Sequence, residues 1–246
     1  MVDPTIRGDG YVLAPAAFDE AEVVELRSGL EAAVGRAVAL TGGVTEASTS
    51  DLGHRIQTVH DGGTPTSVHW EPGTGVPTVR NLRPVTHLDA RLERYWTDPR
   101  LTGPAADLLG VDGVAPLTSK ISVKRARVGS EYIWHQDHSF LSRFLGGRAA
   151  SEVVTAMVFL DDADAGNGAL SLVPGSHRDG PRPDDEPPRA HDADPVTMTA
   201  PAGSVVVFPT LMLHSSRANR SDRDRRALLY LFQPAGRPPL DESTRA

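Results

Sequence analysis

Hydrophobic positions divide the chain into a helical first part and a strand-rich second part. Between Asp19 and Arg36, apolar residues recur three and four positions apart, which predicts an amphipathic helix with Asp19 or Glu20 near its N-terminus. Residues 41–80 contain many Gly, Thr and Pro residues without a clear period, so an irregular segment is expected there. Three further elements are predicted: a strand over Gly10–Pro15 and helices from about Thr86 to Tyr95 and over Pro99–Leu109, the last ending at Gly110.

From Pro116 onward, the pattern changes to short runs of β-branched and apolar residues. Asn167-Gly168 and Pro174-Gly175 lie between such runs and supply turn chemistry. Residues 138–150 are expected to form a loop, and residues 178–195, rich in acidic residues and proline, a solvated loop that could act as a lid. Six strands are predicted: Leu117–Ala126, Glu152–Leu160, Ala169–Val173, Pro195–Met198, Ser204–Phe208 and Arg226–Phe232.

Helices followed by strands predict a mainly β fold with N-terminal helices packed on one sheet. The jelly roll is the β architecture whose two sheets form an open mouth suited to a metal site, although the pattern also fits other sandwiches. No repeat or linker divides the sequence, so one domain over residues 1–246 is expected. Residues 1–115 would supply cover and pocket elements, residues 116–233 the β core with the metal site, and residues 234–246 a tail.

The composition narrows the classes of function. The chain has 246 residues, a net charge of −7 and no cysteine, which excludes disulfides, thiolate metal sites and cysteine nucleophiles. The acidic balance and the lack of a basic run argue against a nucleic-acid partner. The sequence shows no apolar signal core at Met1–Arg7 and no run of about 20 apolar residues, so a cytoplasmic protein without a membrane partner is expected. The oligomeric state stays open.

The strongest chemical signal is a histidine and an aspartate two residues apart. On an extended backbone, the side chains of His135 and Asp137 would project to the same face. A second imidazole, His214, follows the apolar run Ser204–Phe208. Two histidines and one carboxylate leave the opposite face of a metal open, as in non-haem Fe(II) oxygenases and unlike closed structural zinc sites. A His-x-Asp pair alone is common by chance and could equally be a hydrogen-bonded turn.

Several further sequence blocks lie in a fixed order around this pair. They are Lys120–Lys124, Gly129, Trp134–Asp137, Thr155–Asp161, Gly166–Leu170, Val173–His177, His214–Ser216, Asn219, Ser221 and Arg225-Arg226. Together they resemble the phytanoyl-CoA dioxygenase family, which includes ectoine hydroxylase. The resemblance covers about residues 115–233, with a weaker match at Gly10–Leu13.

The resemblance implies both a fold and a set of ligands. The fold is a double-stranded β-helix, a cupin-like jelly roll, and the implied cofactor and co-substrates are Fe(II), 2-oxoglutarate and O2. Matching positions imply that His135, Asp137 and His214 bind iron. They also imply that Arg225 and Ser216 hold the distal carboxylate of 2-oxoglutarate.

Two positions qualify the resemblance. The phytanoyl-CoA and ectoine enzymes carry a tryptophan where this chain has Val154, so the floor of the co-substrate pocket is expected to be filled differently. Asp137 is retained, whereas halogenating relatives replace this carboxylate with Gly or Ala. An intact carboxylate favours hydroxylation, or another outcome of hydrogen abstraction, over halogenation.

A dicarboxylate co-substrate needs a cation at its far end, and arginine can meet a carboxylate with two parallel N–H bonds. Arg225 and Arg226 would lie on opposite faces of one strand, and the family's spacing favours Arg225. Lys120 and Ser122 share a face of the strand leading toward the metal, where either could contact co-substrate or substrate. Two nearby histidines are expected to be structural rather than metal-binding: His138 and His177.

The substrate pocket is less well defined by the sequence. Residues 41–80 and the 138–150 segment are expected to wall it, because loops on a rigid scaffold carry specificity. Residues 80–84 could instead form an ion-paired surface turn. The candidate substrate-binding residues are His69, Trp70, Arg80, Arg83 and Phe140.

These features predict hydroxylation of a small metabolite, such as an amino acid or a natural-product intermediate, with succinate and CO2 as co-products. Desaturation, ring closure or epimerisation with the same cofactors is the alternative. A non-catalytic jelly-roll binding protein, or an isomerase or hydrolase with an open metal face, would belong to other classes. Arg225 and Ser216 argue against both, because neither class needs a clamp for a dicarboxylate.

Overall fold

A computed structural model of the chain describes residues 8–44, 46–50 and 53–240. The N-terminal segment 1–7 and the last six residues of the predicted tail lie outside this part. The α-helices within it are α1 Glu20–Thr41, α2 Ala90–Arg94, α3 Pro99–Leu109, α4 Asp137–Leu145 and α5 Gly147–Ser151. The strands are β1 Val12–Ala14, β2 Ser48–Thr49, β3 Arg55–Asp61, β4 Thr64–Trp70, β5 Val79–Arg83, β6 Val114–Lys124, β7 Tyr132–His135, β8 Val154–Phe159, β9 Leu170–Leu172, β10 Val196–Thr197, β11 Val205–Pro209, β12 His214–Ser216 and β13 Arg225–Pro234.

The strands form two antiparallel sheets that pack against each other. The larger sheet has the order β1-β11-β8-β13-β6-β5-β4-β3-β2, and the smaller one has the order β10-β9-β12-β7. Non-consecutive neighbours such as β11, β8 and β13 are the crossovers expected of a jelly roll. The prediction of a mainly β, cupin-like fold is therefore confirmed.

Helix α1 covers the outer face of the larger sheet. Its N-terminus is capped by Asp19, whose carboxylate accepts from the backbone N–H of Glu22, while the Glu22 carboxylate accepts from the N–H of Asp19. Leu26 and Leu30 lie on the face of α1 that packs on the sheet and are fully buried. Burial of each leucine contributes about 1.5–3 kcal/mol. The prediction of N-terminal helices on one sheet is confirmed. Across the described residues, no helix has the length and apolar character to cross a bilayer.

Alternation along β8 separates two hydrophobic cores. Val154, Ala156 and Val158 face the helices, whereas Met157 and Phe159 face the smaller sheet. Val154, which replaces the family tryptophan, therefore packs in the helix-side core. Met157 is among the residues that line the cavity between the sheets.

The expectation of an irregular segment over residues 41–80 is wrong. Strands β3, β4 and β5 lie there and extend the larger sheet beyond β6. Gly62 and Gly63, both with positive φ, form the two-residue turn between β3 and β4. The alternation was hidden because polar residues such as Gln57 and Thr66 occupy buried positions in these strands.

Residues 138–150 are helical rather than a loop, because α4 and α5 occupy them. Apolar residues at helical spacing, including the buried Leu141, place α4 against the core. Strand β7 therefore ends at His135, and Asp137 is the first residue of α4. The 178–195 segment contacts the rest of the protein through Gln136, whose Oε1 accepts from the backbone N–H of Arg182 at 2.7 Å and whose Nε2 donates to the carbonyl of Gly180 at 3.1 Å.

Candidate metal centre

His135, Asp137 and His214 converge between the two sheets. His135 at the end of β7 lies opposite His214 at the start of β12, and their ring centroids are 4.1 Å apart. The Nε2 atom of each imidazole is 4.0 Å from Oδ1 of Asp137. The three ligand atoms lie within 4.8 Å of one another, which allows a single ion to contact all three.

Hydrogen bonds to backbone carbonyls set the orientation of both imidazoles. Nδ1 of His135 donates to the carbonyl of Ile133 at 2.7 Å, and Nδ1 of His214 donates to that of Met212 at 2.9 Å. Because a carbonyl can only accept, each Nδ1 carries a proton and each Nε2 is the nitrogen left to face a metal.

A side-chain hydrogen bond orients the carboxylate of the triad. Oδ2 of Asp137 accepts a hydrogen bond from Thr155 Oγ1 at 3.1 Å, while Oδ1 faces the two histidines. Thr155 begins one of the sequence blocks that carry the family resemblance, but its contact with Asp137 was not predicted from the sequence. Its contact leaves one carboxylate oxygen directed at the position a metal would occupy.

The protonation states suit metal binding. Burial and the neighbouring His214 lower the pKa of His135 to about 3, so this imidazole is neutral at physiological pH. Burial acts to raise the pKa of Asp137, but the nearby His214 and Lys120 outweigh it and the pKa is lowered. The triad therefore offers the neutral imidazole of His135, Nε2 of His214 and one ionised carboxylate oxygen, a donor set that fits Fe(II).

A cavity of about 440 Å³ opens on the free side of the triad. Two cations, three serines and an apolar floor line it. The lining residues are Lys120, Ser122, Tyr132, His135, Asp137, Met157, Leu170, Phe208, His214, Ser215, Ser216, Arg225 and Leu229. The cavity therefore combines an open metal face with positive charge, which suits an anionic ligand.

Arg225 lies at the buried end of this cavity. Its side chain is 2% exposed, and its Nη1 donates to Ser122 Oγ at 3.4 Å. Its Nε finds no hydrogen-bond partner among the described residues, and no acidic side chain there forms a salt bridge with it. Burial lowers the pKa of Arg225 to about 10. A buried guanidinium without an anion is the arrangement that a ligand carboxylate would complete.

A second group of possible metal ligands consists of Asp179, His191 and Asp192. The guanidinium of Arg182 lies between the two carboxylates and pairs with both. An arginine at that position neutralises the two carboxylates and disfavours the binding of a metal cation there. This group therefore forms an ion-pair cluster rather than a metal centre.

Comparisons with known proteins agree with this geometry. The profile of the phytanoyl-CoA dioxygenase (PhyH) family matches residues 6–227. The chain belongs to the phytanoyl-CoA dioxygenase family. Membership places it among the oxygenases that use Fe(II), 2-oxoglutarate and O2.

Two relatives and two solved structures illustrate the likeness. L-proline trans-4-hydroxylase of Streptomyces griseoviridis is 29% identical over 76% of this chain and 78% of that enzyme. Ectoine dioxygenase of Bordetella parapertussis is 32% identical over 66% of this chain, a match that spans 59% of the relative's length. The apo structure of EctD from S. alaskensis matches with a TM-score of 0.70 and 22% identity over 97% of this chain and 77% of that one. The carbocyclase SnoK matches with a TM-score of 0.63 and 22% identity over 94% and 82%.

In this PhyH-family protein, the two adjacent arginines occupy different environments. Arg225 lines the cavity together with Ser122 and Ser216. Arg226 lies on the opposite face of β13, where it pairs with Asp161 at 2.8 Å and with Glu31 at 3.0 Å. The alternation along the strand thus directs Arg225 to the site and Arg226 to α1.

Lys120 also lines the cavity, with its Nζ 5.4 Å from the centre of the Tyr132 ring. Tyr132 is a cavity residue that the sequence did not indicate. Its ring stacks on that of His135 at 6.5 Å, and the guanidinium of Arg80 lies 3.7 Å from its centre. Burial opposes ionisation of Tyr132, yet Arg80 and Lys120 lower the pKa of its phenol.

Lys124 lies below the cavity and is fully buried. Its Nζ donates to the carbonyl of Ser216 at 3.1 Å and to that of Arg217, which fixes the end of β12 beside Arg225. Burial, followed by the charges of Arg225 and Arg80, lowers the pKa of Lys124 to about 6. Above that pH, the Lys124 side chain is therefore largely an uncharged amine and adds little charge to the cavity.

The five candidate substrate residues lie outside the cavity lining. The indole of Trp70 is buried in the helix-side core and donates to Gln57 at 3.0 Å. Arg80 is buried in β5 and pairs with Glu71 at 3.4 Å, so the alternative of a surface turn at residues 80–84 is wrong. His69 on β4 and Arg83 on β5 lie on the cavity-side face of the larger sheet. Phe140 lies on α4.

The two histidines expected to be structural have partners away from the triad or lie in a turn. His138 is buried, and its Nε2 lies 3.0 Å from the carbonyl of Gly147, so it holds α4 and α5 together. His177 lies in a short 3₁₀ segment, Ser176–Asp179, with its ring against Gly10. Any Cβ at Gly10 would collide with this ring, which explains a glycine there.

Proposed function

We propose that this protein hydroxylates a small-molecule metabolite, an amino acid or a natural-product intermediate, with release of succinate and CO2. The observation that carries the proposal is the presence, in one cavity, of an open His135–Asp137–His214 face and of the unpaired guanidinium of Arg225. A metal-binding protein without turnover, or a hydrolase, has no use for this second feature.

Bound Fe(II) would supply the activation of O2 that is coupled to oxidative decarboxylation of 2-oxoglutarate. The chain's contribution is to hold and orient. His135 and His214 present Nε2 because their Nδ1 protons are committed to backbone carbonyls. Asp137 offsets one charge of the metal, and Thr155 keeps its second oxygen turned away. Three protein donors leave the rest of the coordination sphere to co-substrate and oxygen.

The co-substrate's distal carboxylate would be held by Arg225, with hydroxyl donors from Ser122 and Ser216. Arg225 is already desolvated, so it gains an anion without losing further water. Lys124 holds the backbone of Ser216 and thereby the position of that hydroxyl. Met157, Phe208 and Leu229 line the same cavity with apolar side chains, which leaves fewer polar groups there to hold water.

The relatives support a small substrate, because they are named for L-proline and ectoine. Two structural neighbours are an epimerase and a carbocyclase that depend on alpha-ketoglutarate, so the same fold serves other oxidative outcomes. Epimerisation, ring closure or desaturation is the second candidate reaction. Product analysis separates these outcomes, since only hydroxylation adds an oxygen atom from O2.

The direct test is succinate formation by the purified protein loaded with Fe(II) under anaerobic conditions. A panel of amino acids and cyclic metabolites, including L-proline and ectoine, is added with 2-oxoglutarate and O2. We expect at least one compound to stimulate succinate formation, and omission of Fe(II), 2-oxoglutarate or O2 to abolish it. No 2-oxoglutarate binding and no succinate across the panel would contradict the proposal.

A further inference from the structure

Lys120 is a cavity cation whose place differs from that of Arg225. On the larger sheet, Lys120 lies opposite Leu229, whereas Arg225 lies opposite Lys124. Four residues along a strand correspond to roughly 13 Å at about 3.3 Å per residue. The two cations thus mark separate levels of one cavity, and a carboxylate bound at the Arg225 level leaves Lys120 to another partner.

Among the described residues, the ammonium of Lys120 forms no salt bridge, although it lies near enough to Asp137 of the triad to lower the pKa of that carboxyl. Its Nζ lies 5.4 Å from the centre of the Tyr132 ring, and the side chain is partly buried. Two other buried or partly buried cations each pair with an acid: Arg80 with Glu71, and Arg226 with Asp161. Removing an ammonium from water without an anion is unfavourable, so an unpaired lysine in a cavity indicates a missing ligand.

Charge balance indicates the sign of that ligand. This step rests on the proposed function, because it counts Fe(II) and 2-oxoglutarate as bound. The two carboxylates of 2-oxoglutarate and that of Asp137 match the two charges of the metal and that of Arg225. The pKa of Lys124 is lowered to about 6 and Arg80 is paired, so neither adds a charge that must be matched. The positive charge of Lys120 then remains.

The sheet extension provides the surface beside Lys120. Asn81 of β5 lies opposite Ser122, and Leu82 lies opposite Ile121 in the helix-side core. Arg83 therefore faces the cavity side at the level of Lys120, and its guanidinium lies 3.6 Å from the centre of the Phe140 ring. From these positions we infer that the substrate carries a single carboxylate that binds Lys120, with the rest of the molecule over β5 and β6 toward Arg83 and Phe140.

The first experiment separates substrate binding from co-substrate binding. Full-length protein loaded with Mn(II) in place of Fe(II) is titrated with 2-oxoglutarate by calorimetry, comparing wild type with Lys120→Met and Arg225→Met. We expect the dissociation constant to stay within about threefold in Lys120→Met and to rise about 100-fold or more in Arg225→Met. A loss in Lys120→Met as large as that in Arg225→Met would assign Lys120 to 2-oxoglutarate and overturn the inference. Failure of the wild type to bind 2-oxoglutarate would instead contradict the proposed function.

The second experiment tests the carboxylate itself. Protein loaded with Mn(II) and 2-oxoglutarate is titrated with matched acids and amides: L-proline and L-prolinamide, pipecolate and pipecolamide, cyclopentanecarboxylate and its amide. We expect at least one acid to bind about tenfold more tightly than its amide, and this advantage to disappear in Lys120→Met. Arg148→Met, a control that removes a side chain with 96% exposure, should retain the advantage. A panel in which no acid outbinds its amide, or an advantage that survives in Lys120→Met, overturns the inference.

Discussion

The two faces of strand β13 show how adjacent arginines serve different purposes. Arg226 on the helix side closes a network with Asp161 and Glu31, in which every charge has a partner. Arg225 on the cavity side is more deeply buried and hydrogen-bonds a serine, and no acid of the described residues forms a salt bridge with it. A chain selected for stability alone would not retain a buried, unmatched charge. The difference shows that the charge of Arg226 on the helix side is paired within the protein, whereas the charge of Arg225 on the cavity side is left for a ligand to pair.

The largest expected effect concerns the cavity side. His135→Ala or His214→Ala should remove most of the affinity for Fe(II) and essentially all oxygenase activity, because two protein ligands hold a labile divalent ion poorly. Metal analysis and turnover of each folded variant check this. His138→Ala is the control, since His138 contacts Gly147 rather than the triad. An inactive His138→Ala beside an active His135→Ala would show that the ligand assignment is wrong.

The next prediction tests the cavity-side arginine. Arg225→Met should weaken 2-oxoglutarate binding about 100-fold or more, because loss of one member of a buried charge pair costs about 3–5 kcal/mol. Iron binding should stay nearly unchanged. The free energy of unfolding of the ligand-free protein should stay equal or rise, since the substitution removes an uncompensated buried charge. Calorimetric titration and denaturant unfolding measure the two quantities, and a large loss of stability would contradict the comparison.

A smaller effect is expected at an uncharged contact on the same side. Thr155→Val keeps the shape of the side chain but removes the hydrogen bond to Asp137. Loss of such a partner should weaken metal affinity about tenfold. A metal-competition titration measures it, with Thr197→Val as the control because Thr197 is exposed on β10. Equal metal affinities in wild type and Thr155→Val would show that the carboxylate is oriented by other contacts.

The smallest effect is expected on the helix side. Arg226→Met should leave 2-oxoglutarate affinity unchanged and lower the free energy of unfolding by about 1 kcal/mol, because Asp161 keeps Arg27 and Glu31 keeps Arg125 as a partner. Denaturant unfolding of this variant beside Arg225→Met completes the comparison. If Arg226→Met lost co-substrate binding while Arg225→Met kept it, the faces of β13 would be assigned the wrong way round.

Local motifs account for what the sequence could predict. His135, Asp137, His214 and Arg225 lie in short blocks with fixed spacing, so their convergence could be expected before the strands were placed. The roles of Thr155 and Tyr132 were not predicted because their contacts join residues that are distant in the sequence.

The substrate side was harder to predict for a different physical reason. Strands β3–β5 carry polar residues at buried positions, so their alternation is hidden, and the segment looked irregular. Once the strands are placed, alternation assigns Trp70 to the core and Arg83 to the cavity side. Because residues 41–80 were expected to be irregular, no strand register was available to decide which of these candidate side chains face the cavity.

The central claim is that one cavity binds Fe(II) through the triad and 2-oxoglutarate through Arg225. The most direct test is an anaerobic titration of the Fe(II)-loaded wild-type protein with 2-oxoglutarate, followed by the charge-transfer absorption of the chelated 2-oxo acid. The account predicts a saturable band that is absent in His214→Ala and requires far more 2-oxoglutarate in Arg225→Met. A wild-type protein that gives no band, or an Arg225→Met variant that saturates at the wild-type concentration, would contradict it.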